Sequence, residues 1–332
     1  MNKYMACAVC TVLAATALTT SSCKNNDKGS KATPVPVVRL DRSVAEYSHL
    51  DSLQRVAMLD SLRPEISALL QVLGADTCSY HTALTWSQSM AVDMFSPLAD
   101  TVYKDLSGFE QTLGSILENA REQGISLPRR RYVAVVWGRP QSIVFNDSVV
   151  LIALNHYLGA DSPAYANWPE YQRRLKTPRM LDYDMAEALV GTAFPYAPKN
   201  GNGDVLSRLL YEGAMAEAKM RLVPDAKPED ALGFTHEQLE DIKANRGLIW
   251  KRLVSGKMLY SADSELSEKL FGLMPFSTPL SNDAPGRSVR LIGYEIVKAY
   301  LDRNPETALS QLLTPAFYTN RDILRQSGYN PL

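Results

Sequence analysis

The chain has 332 residues, with 35 Lys and Arg against 36 Asp and Glu and a net charge of −1. Near-neutrality, with no basic run beyond Arg129-Arg130-Arg131, leaves no electrostatic footprint for nucleic acid. Of four cysteines, Cys7, Cys10 and Cys23 fall near the N-terminus, so Cys78 stands alone in the body and a disulfide-stapled fold is excluded.

The first segment carries Lys3 and then an apolar stretch from Met5 to Leu18. That stretch is short of the ~20 residues a membrane-spanning helix needs and suits the apolar region of a secretion signal. Thr20-Ser21-Ser22-Cys23 places small residues before a cysteine, the box a lipoprotein signal peptidase reads, although Thr20 stands where Leu is usual. Residues 1–22 are therefore expected to be a signal and Cys23 the lipidated residue, carrying an acyl chain such as palmitate. The alternative is an ordinary cleaved signal with Cys23 there by chance. Residues 23–38, polar and then Pro-rich, read as a flexible tether. Asp27 is the only acid among them, which favours a periplasm-facing anchor in the cell envelope, on either the inner or the outer membrane. No second apolar run is long enough to cross a bilayer.

Residues 39–127 read as a helical part. Leu50, Leu53, Val56, Leu59 and Leu62 recur at three-residue steps on one stripe, and Thr85–Tyr103 and Leu106–Gly124 read as two further helices. Residues 128–332 read as an α+β part forming one compact unit with those helices. Tyr132–Trp137 is β-branched and apolar, and Asn146-Asp147 between Ser142–Phe145 and Ser148–Ala153 signals a hairpin. A small antiparallel sheet of about three strands, covered by helices, is expected. Helices follow over Leu181–Ala193, Asp204–Leu222, Thr235–Val254 (opened by a Thr235/Gln238 capping box), Val289–Leu301 and Pro305–Leu313. The fold class is thus α+β and mostly helical.

Two of these helices carry acids worth weighing as a site: Tyr183-Asp184-Met185-Ala186-Glu187 on the first, Glu212 and Glu217 on the second. A small sheet, a helix and a second helix bearing Glu-Gly resemble the chain order of gluzincin metallopeptidases. There a His-Glu-x-x-His helix presents two imidazoles to one zinc, and a Glu on the next helix completes the set. Here no His occurs between His156 and His236. In one register Tyr183 and Glu187 stand at the His positions and Asp184 at that of the general base; Glu212 alone matches a ligand. Zinc prefers nitrogen and sulfur donors, so no metal and no cofactor are expected. A hard-ion site of Glu187, Glu212 and Glu217 is the sharper alternative; acids solvated or capped by Arg and Lys are the plainer one. Gly293 inside a helix costs about 1 kcal/mol against Ala, which points to close packing, with the Glu212 helix as the expected neighbour. Arg287 and Arg290 would then neutralise Glu212 or Glu187, with Tyr294 alongside.

From Arg39-Leu40-Asp41 to the C-terminus the chain resembles the GldB-type gliding-motility lipoproteins of the Bacteroidota. The pieces that carry the resemblance are Tyr157-Leu158-Gly159 before Asp161-Ser162-Pro163-Ala164-Tyr165, Leu210-Tyr211-Glu212-Gly213, Leu222-Val223-Pro224-Asp225, and Leu232-Gly233-Phe234-Thr235. Then come Ile249-Trp250, Leu259-Tyr260-Ser261, Pro275-Phe276 leading to Pro285-Gly286-Arg287, Gly293-Tyr294-Glu295-Ile296-Val297, and Ser327-Gly328-Tyr329-Asn330-Pro331. The resemblance implies a zincin-like fold without the metal-binding His pair. It also implies an envelope lipoprotein held by lipid on Cys23 and partnered by envelope proteins of the gliding or secretion machinery, with no established reaction. The residue reading agrees with a non-catalytic pseudo-metallopeptidase that has no catalytic residues. It leaves open a hydrolase with an atypical site, and a peptide or glycan binder using the Ile143–Ala153 hairpin as an edge. His156 reads as structural, His236 as exposed and Cys78 as buried rather than reactive. No Gly-x-Ser-x-Gly elbow and no phosphate loop occurs.

Overall fold

The computed structural model describes residues 32–75, 78–198 and 203–331; the expected signal over residues 1–22 and Cys23 lie outside these. Four strands, β1 (Val37–Arg39), β2 (Arg131–Val135), β3 (Ile143–Phe145) and β4 (Val149–Ala153), form one sheet in the order β1-β2-β4-β3. β1 pairs with β2 and β2 with β4 in parallel; β3 alone runs antiparallel, Phe145 facing Val150 across the hairpin. The expected antiparallel sheet is therefore corrected to a mixed one. The Asn146-Asp147 turn forms where expected, its first N–H donating to the Val149 carbonyl at 2.9 Å. The signal for the parallel pairs lies in β2 and β4: Tyr132–Val135 and Val149–Ala153 are buried at every position. Continuous apolar runs of that kind mark strands covered on both faces, as parallel strands are.

β1 also shortens the tether. The Gln111 side chain donates to the Ala32 carbonyl at 2.7 Å, Val35 N–H to the Glu110 carbonyl at 3.0 Å and Val37 N–H to the Glu110 carboxylate at 2.8 Å. A Cβ on Gly114 would run into the Thr33 carbonyl. The segment expected to be free over residues 23–38 is thus held from Ala32 onward, and from there the chain forms one compact unit.

The helices of the first half are α1 (Leu40–Tyr47), α2 (Ser52–Ser61), α3 (Arg63–Leu73), α4 (Tyr80–Ser87), α5 (Met90–Val102) and α6 (Ser107–Glu122). The helix expected over Thr85–Tyr103 is broken before Met90 by a turn at Gln88 and Ser89. After β4 come α7 (Glu170–Arg173), α8 (Pro178–Ala193), α9 (Val205–Leu222), α10 (Pro228–Leu232), α11 (His236–Ser255) and α12 (Ser264–Phe271). α13 (Val289–Arg303), α14 (Leu309–Leu312), α15 (Pro315–Tyr318) and α16 (Asp322–Ser327) complete the chain. The helix expected over Pro305–Leu313 is reduced to α14. Asp204 caps α9 and Thr235 caps α11, each through a reciprocal box with the residue three positions on.

α9 is the central element. Nearly every residue from Val205 to Lys219 is buried, the signature of a helix wrapped on all sides. It packs on α8, α13 and α6. α13 crosses it at two glycines: a Cβ on Gly213 would collide with the Gly293 carbonyl, and one on Gly293 with the Leu209 carbonyl. The expected close approach of Gly293 to the Glu212 helix is present, backbone against backbone.

Candidate functional site

This crossing sets the charge chemistry. With the axes so close, Arg290, one turn before Gly293, reaches Glu212, the neighbour of Gly213. Its Nε and Nη2 donate to the same Glu212 oxygen, Oε2, at 3.1 and 2.8 Å, and its Nη1 donates to the Leu232 carbonyl at 3.3 Å. Arg208, one turn before Glu212, holds the other oxygen at 2.7 Å. Both partners of the Arg290–Glu212 pair have 9% of their side-chain surface exposed. Burial pushes the Glu212 carboxyl up; Arg290 and Arg208 outweigh it and hold it below the usual range.

Across from α9, α8 presents Asp184 and Glu187 three residues apart, on one helix face. Lys219 Nζ donates to Glu187 at 2.7 Å, and Arg290 stands 3.9 Å from the same oxygen. The Glu187 side chain keeps 42% of its surface accessible, so it is half-buried where α8 faces α9 and α13. Burial pushes Glu187 up, but Lys219, Arg290 and Arg287 together pull it down to about 2. Asp184 goes the other way, raised by burial and by Glu187, and accepts a hydrogen bond from the Tyr157 hydroxyl at 2.8 Å.

Of the residues singled out from the sequence, Glu187, Glu212, Asp184, Arg287 and Arg290 come together here. Two others turn elsewhere. The Tyr183 hydroxyl accepts from Lys227 N–H at 2.8 Å and from Arg179 at 2.9 Å. Tyr294 is raised to about 12 by burial and then by Glu217, not by Glu187 or Glu212. Glu217 itself pairs with Arg221 at 2.8 Å, so the hard-ion trio of Glu187, Glu212 and Glu217 does not converge. Lys219, Arg174 and Tyr157 were not anticipated. Lys219 was findable: it lies two turns after Glu212 and so on the same face. Arg174 and Tyr157 come from loops whose approach to α8 no local pattern encodes.

Arg287 differs from its neighbours. Its backbone is left-handed, at φ 64°, a conformation that disfavours side chains. Its Nη2 is buried without a hydrogen-bond partner, as is Nε of Arg174; such orphans cost about 1–3 kcal/mol each. Burial, and then Arg290, push the Arg287 guanidinium down to about 9.

Elsewhere, His156 is buried beside the sheet with Nδ1 2.9 Å from the Ser142 hydroxyl. Burial and Lys176 push it down to about 4. His236 is exposed and Cys78 is half-buried. Among the described residues, no three His, Cys, Asp or Glu side chains are placed to hold a metal ion, and no helix is long and apolar enough to cross a membrane.

The fold and groove define a helix-rich α+β protein whose central acids are matched by guanidinium and ammonium groups. The family model described as gliding motility protein GldB matches residues 22–331, and the chain belongs to that family. No curated protein matches the chain, and no solved structure does.

Proposed function

We propose that this chain is a membrane-anchored cell-envelope lipoprotein, lipidated at Cys23, whose body serves the motility or secretion machinery by binding and scaffolding rather than by catalysis. The groove between α8, α9 and α13 is, on this reading, a zincin-like cleft in which cations have replaced the metal. One observation carries it: both central acids are engaged by cationic side chains, Glu212 by Arg290 and Arg208, Glu187 by Lys219. A carboxylate already accepting charge-assisted hydrogen bonds is a poor ligand for zinc, and among the described residues no His joins these acids in a group placed to hold a metal. The anchor fits the same picture. Eight residues lie between Cys23 and the held Ala32, a span of at most about 30 Å, so on this reading the body works close to the membrane surface.

Elemental analysis of the full chain, purified without chelator and then titrated with zinc, tests the non-catalytic reading. The expected result is no stoichiometric metal and no saturable zinc uptake; one tightly held equivalent abolished by Glu212→Ala overturns it. Membrane fractionation of Cys23→Ala tests the anchor, with release into the soluble fraction expected. A second reading, an atypical hydrolase, is favoured by Asp184 and Glu187, one helical turn apart and driven to opposite sides of the usual carboxylate range. Peptide-library turnover lost in both Asp184→Asn and Glu187→Gln would establish it.

A further inference from the structure

The groove holds more positive charge than its acids neutralise. Arg208 and Arg290 hold Glu212 and Lys219 holds Glu187, three cations on two acids before Arg287 and Arg174 are counted. Arg287 acts on that cluster directly: Glu187 and Glu212 favour its charge, and Arg290 and Arg174 disfavour it. Arg174, which has Glu170 as its own acid, comes from the segment whose next residue, Leu175, packs on Gly233 beside the Arg287 guanidinium. Each of these two guanidiniums has a buried, unpartnered nitrogen, which Arg208 and Arg290 do not; away from the cluster Arg130 and Arg173 share the feature. The backbone beneath Arg287 is fixed. Gly286 leaves no room for a side chain against the Met274 carbonyl, and its N–H donates to the Pro275 carbonyl at 3.0 Å. The next residue, Arg287, has a left-handed backbone that a glycine would hold more easily. Arg287 directly precedes Ser288, the N-cap of α13, whose first turn has no acid and whose N-cap makes no side-chain hydrogen bond, so the positive end of a 15-residue helix adds to the same field. The side chain of Arg287 lies over Gly233, near Arg290.

We propose that Arg287 and Arg174, backed by Arg290 at the start of α13, form a binding site for a phosphate group. The excess of cations suits a multiply charged anion, and a guanidinium fork matches phosphate oxygens. Strain and desolvation concentrated on one residue are what a site shaped for a ligand retains. This deepens the binding reading above and is tested separately from it: metal content decides whether the groove is inert, and phosphate decides whether it is occupied.

The test is calorimetric titration of inorganic phosphate, at low ionic strength, into the full chain carrying Cys23→Ala to keep it soluble, with Arg287→Gly and Arg174→Ala made in the same background. A parallel arm floats these proteins with phosphatidic acid vesicles and with phosphatidylcholine vesicles. Saturable phosphate binding is expected, weakened about tenfold or more in each variant through loss of a charge-assisted hydrogen bond. Arg287→Gly should melt no lower than the parent, because glycine suits the left-handed backbone, so its loss of binding cannot be ascribed to misfolding. Flotation with phosphatidic acid alone, lost in both variants, assigns the phosphate to a lipid headgroup; phosphate binding without flotation assigns it to a soluble ligand. Absence of binding in both arms, acetate binding as strongly as phosphate, or full retention in both variants overturns the proposal.

Discussion

α2 and α9 are both regular helices with capping boxes, but they treat their side chains in opposite ways. On α2, Leu53 and Val56 are 84% and 48% exposed, and only Leu59 is buried. On α9, Glu212, Glu217 and Lys219 are buried alongside the leucines and alanines. Apolar spacing along a helix therefore shows that a face exists, not that anything covers it. Charge inside a fully wrapped helix, by contrast, demands a partner, because an ion transferred out of water without one is too costly to persist. Each α9 charge has one: Glu212 has Arg290, Lys219 has Glu187, and Glu217 has Arg221.

If that contrast is right, the largest effects fall on the wrapped helix. Glu212→Ala strands Arg290 in the interior and should lower stability by about 3–5 kcal/mol, read from urea unfolding. His156 gives a pH signature. Its folded pKa of about 4 lies below the ordinary 6.5, so the unfolded chain binds the proton first. Its stabilisation is complete above pH 6.5 and is lost as pH falls toward 4, by up to about 3 kcal/mol. Asp182, pushed up to about 6 by burial, opposes this, gaining stability as pH falls from about 6 to 3.8. His156→Gln should therefore flatten or reverse the acid limb of a melting-temperature profile. Gly213→Ala forces α9 and α13 apart and should cost about 1–3 kcal/mol in the same unfolding assay. At the other end, Leu53→Lys and Val56→Lys on α2 should change stability by no more than about 0.5 kcal/mol; a larger loss would mean that this stripe is covered after all.

The same contrast explains which parts of the structure the chain made legible. Caps and turns are local, and Thr235, Asp204 and the Asn146-Asp147 turn are found where their chemistry places them. Gly293 was readable because a glycine inside a helix implies a close neighbour, and Arg287 and Arg290 followed because an acid-bearing helix with no metal ligands to match needs cations. The stripe through Leu50–Leu62 marked a helix, α2, but periodicity does not report burial, and Leu53 and Val56 stand exposed. The parallel pairing of β2 with β4 was obscured by a true hairpin, β3–β4, lying between them in the chain. Tyr294 stood next to the right glycine, yet a helix turns about 100° per residue, and its ring comes to lie toward Glu217.

The Glu212–Arg290 pair is the centre of the account, and a double-mutant cycle measures it directly. Urea unfolding of Glu212→Ala, Arg290→Ala and the double variant should show the double costing less than the two singles together, with a coupling of about 2 kcal/mol or more. Additivity within about 0.5 kcal/mol would mean that the two side chains do not hold one another, and the account of a cleft stabilised by cations in place of a metal would be contradicted.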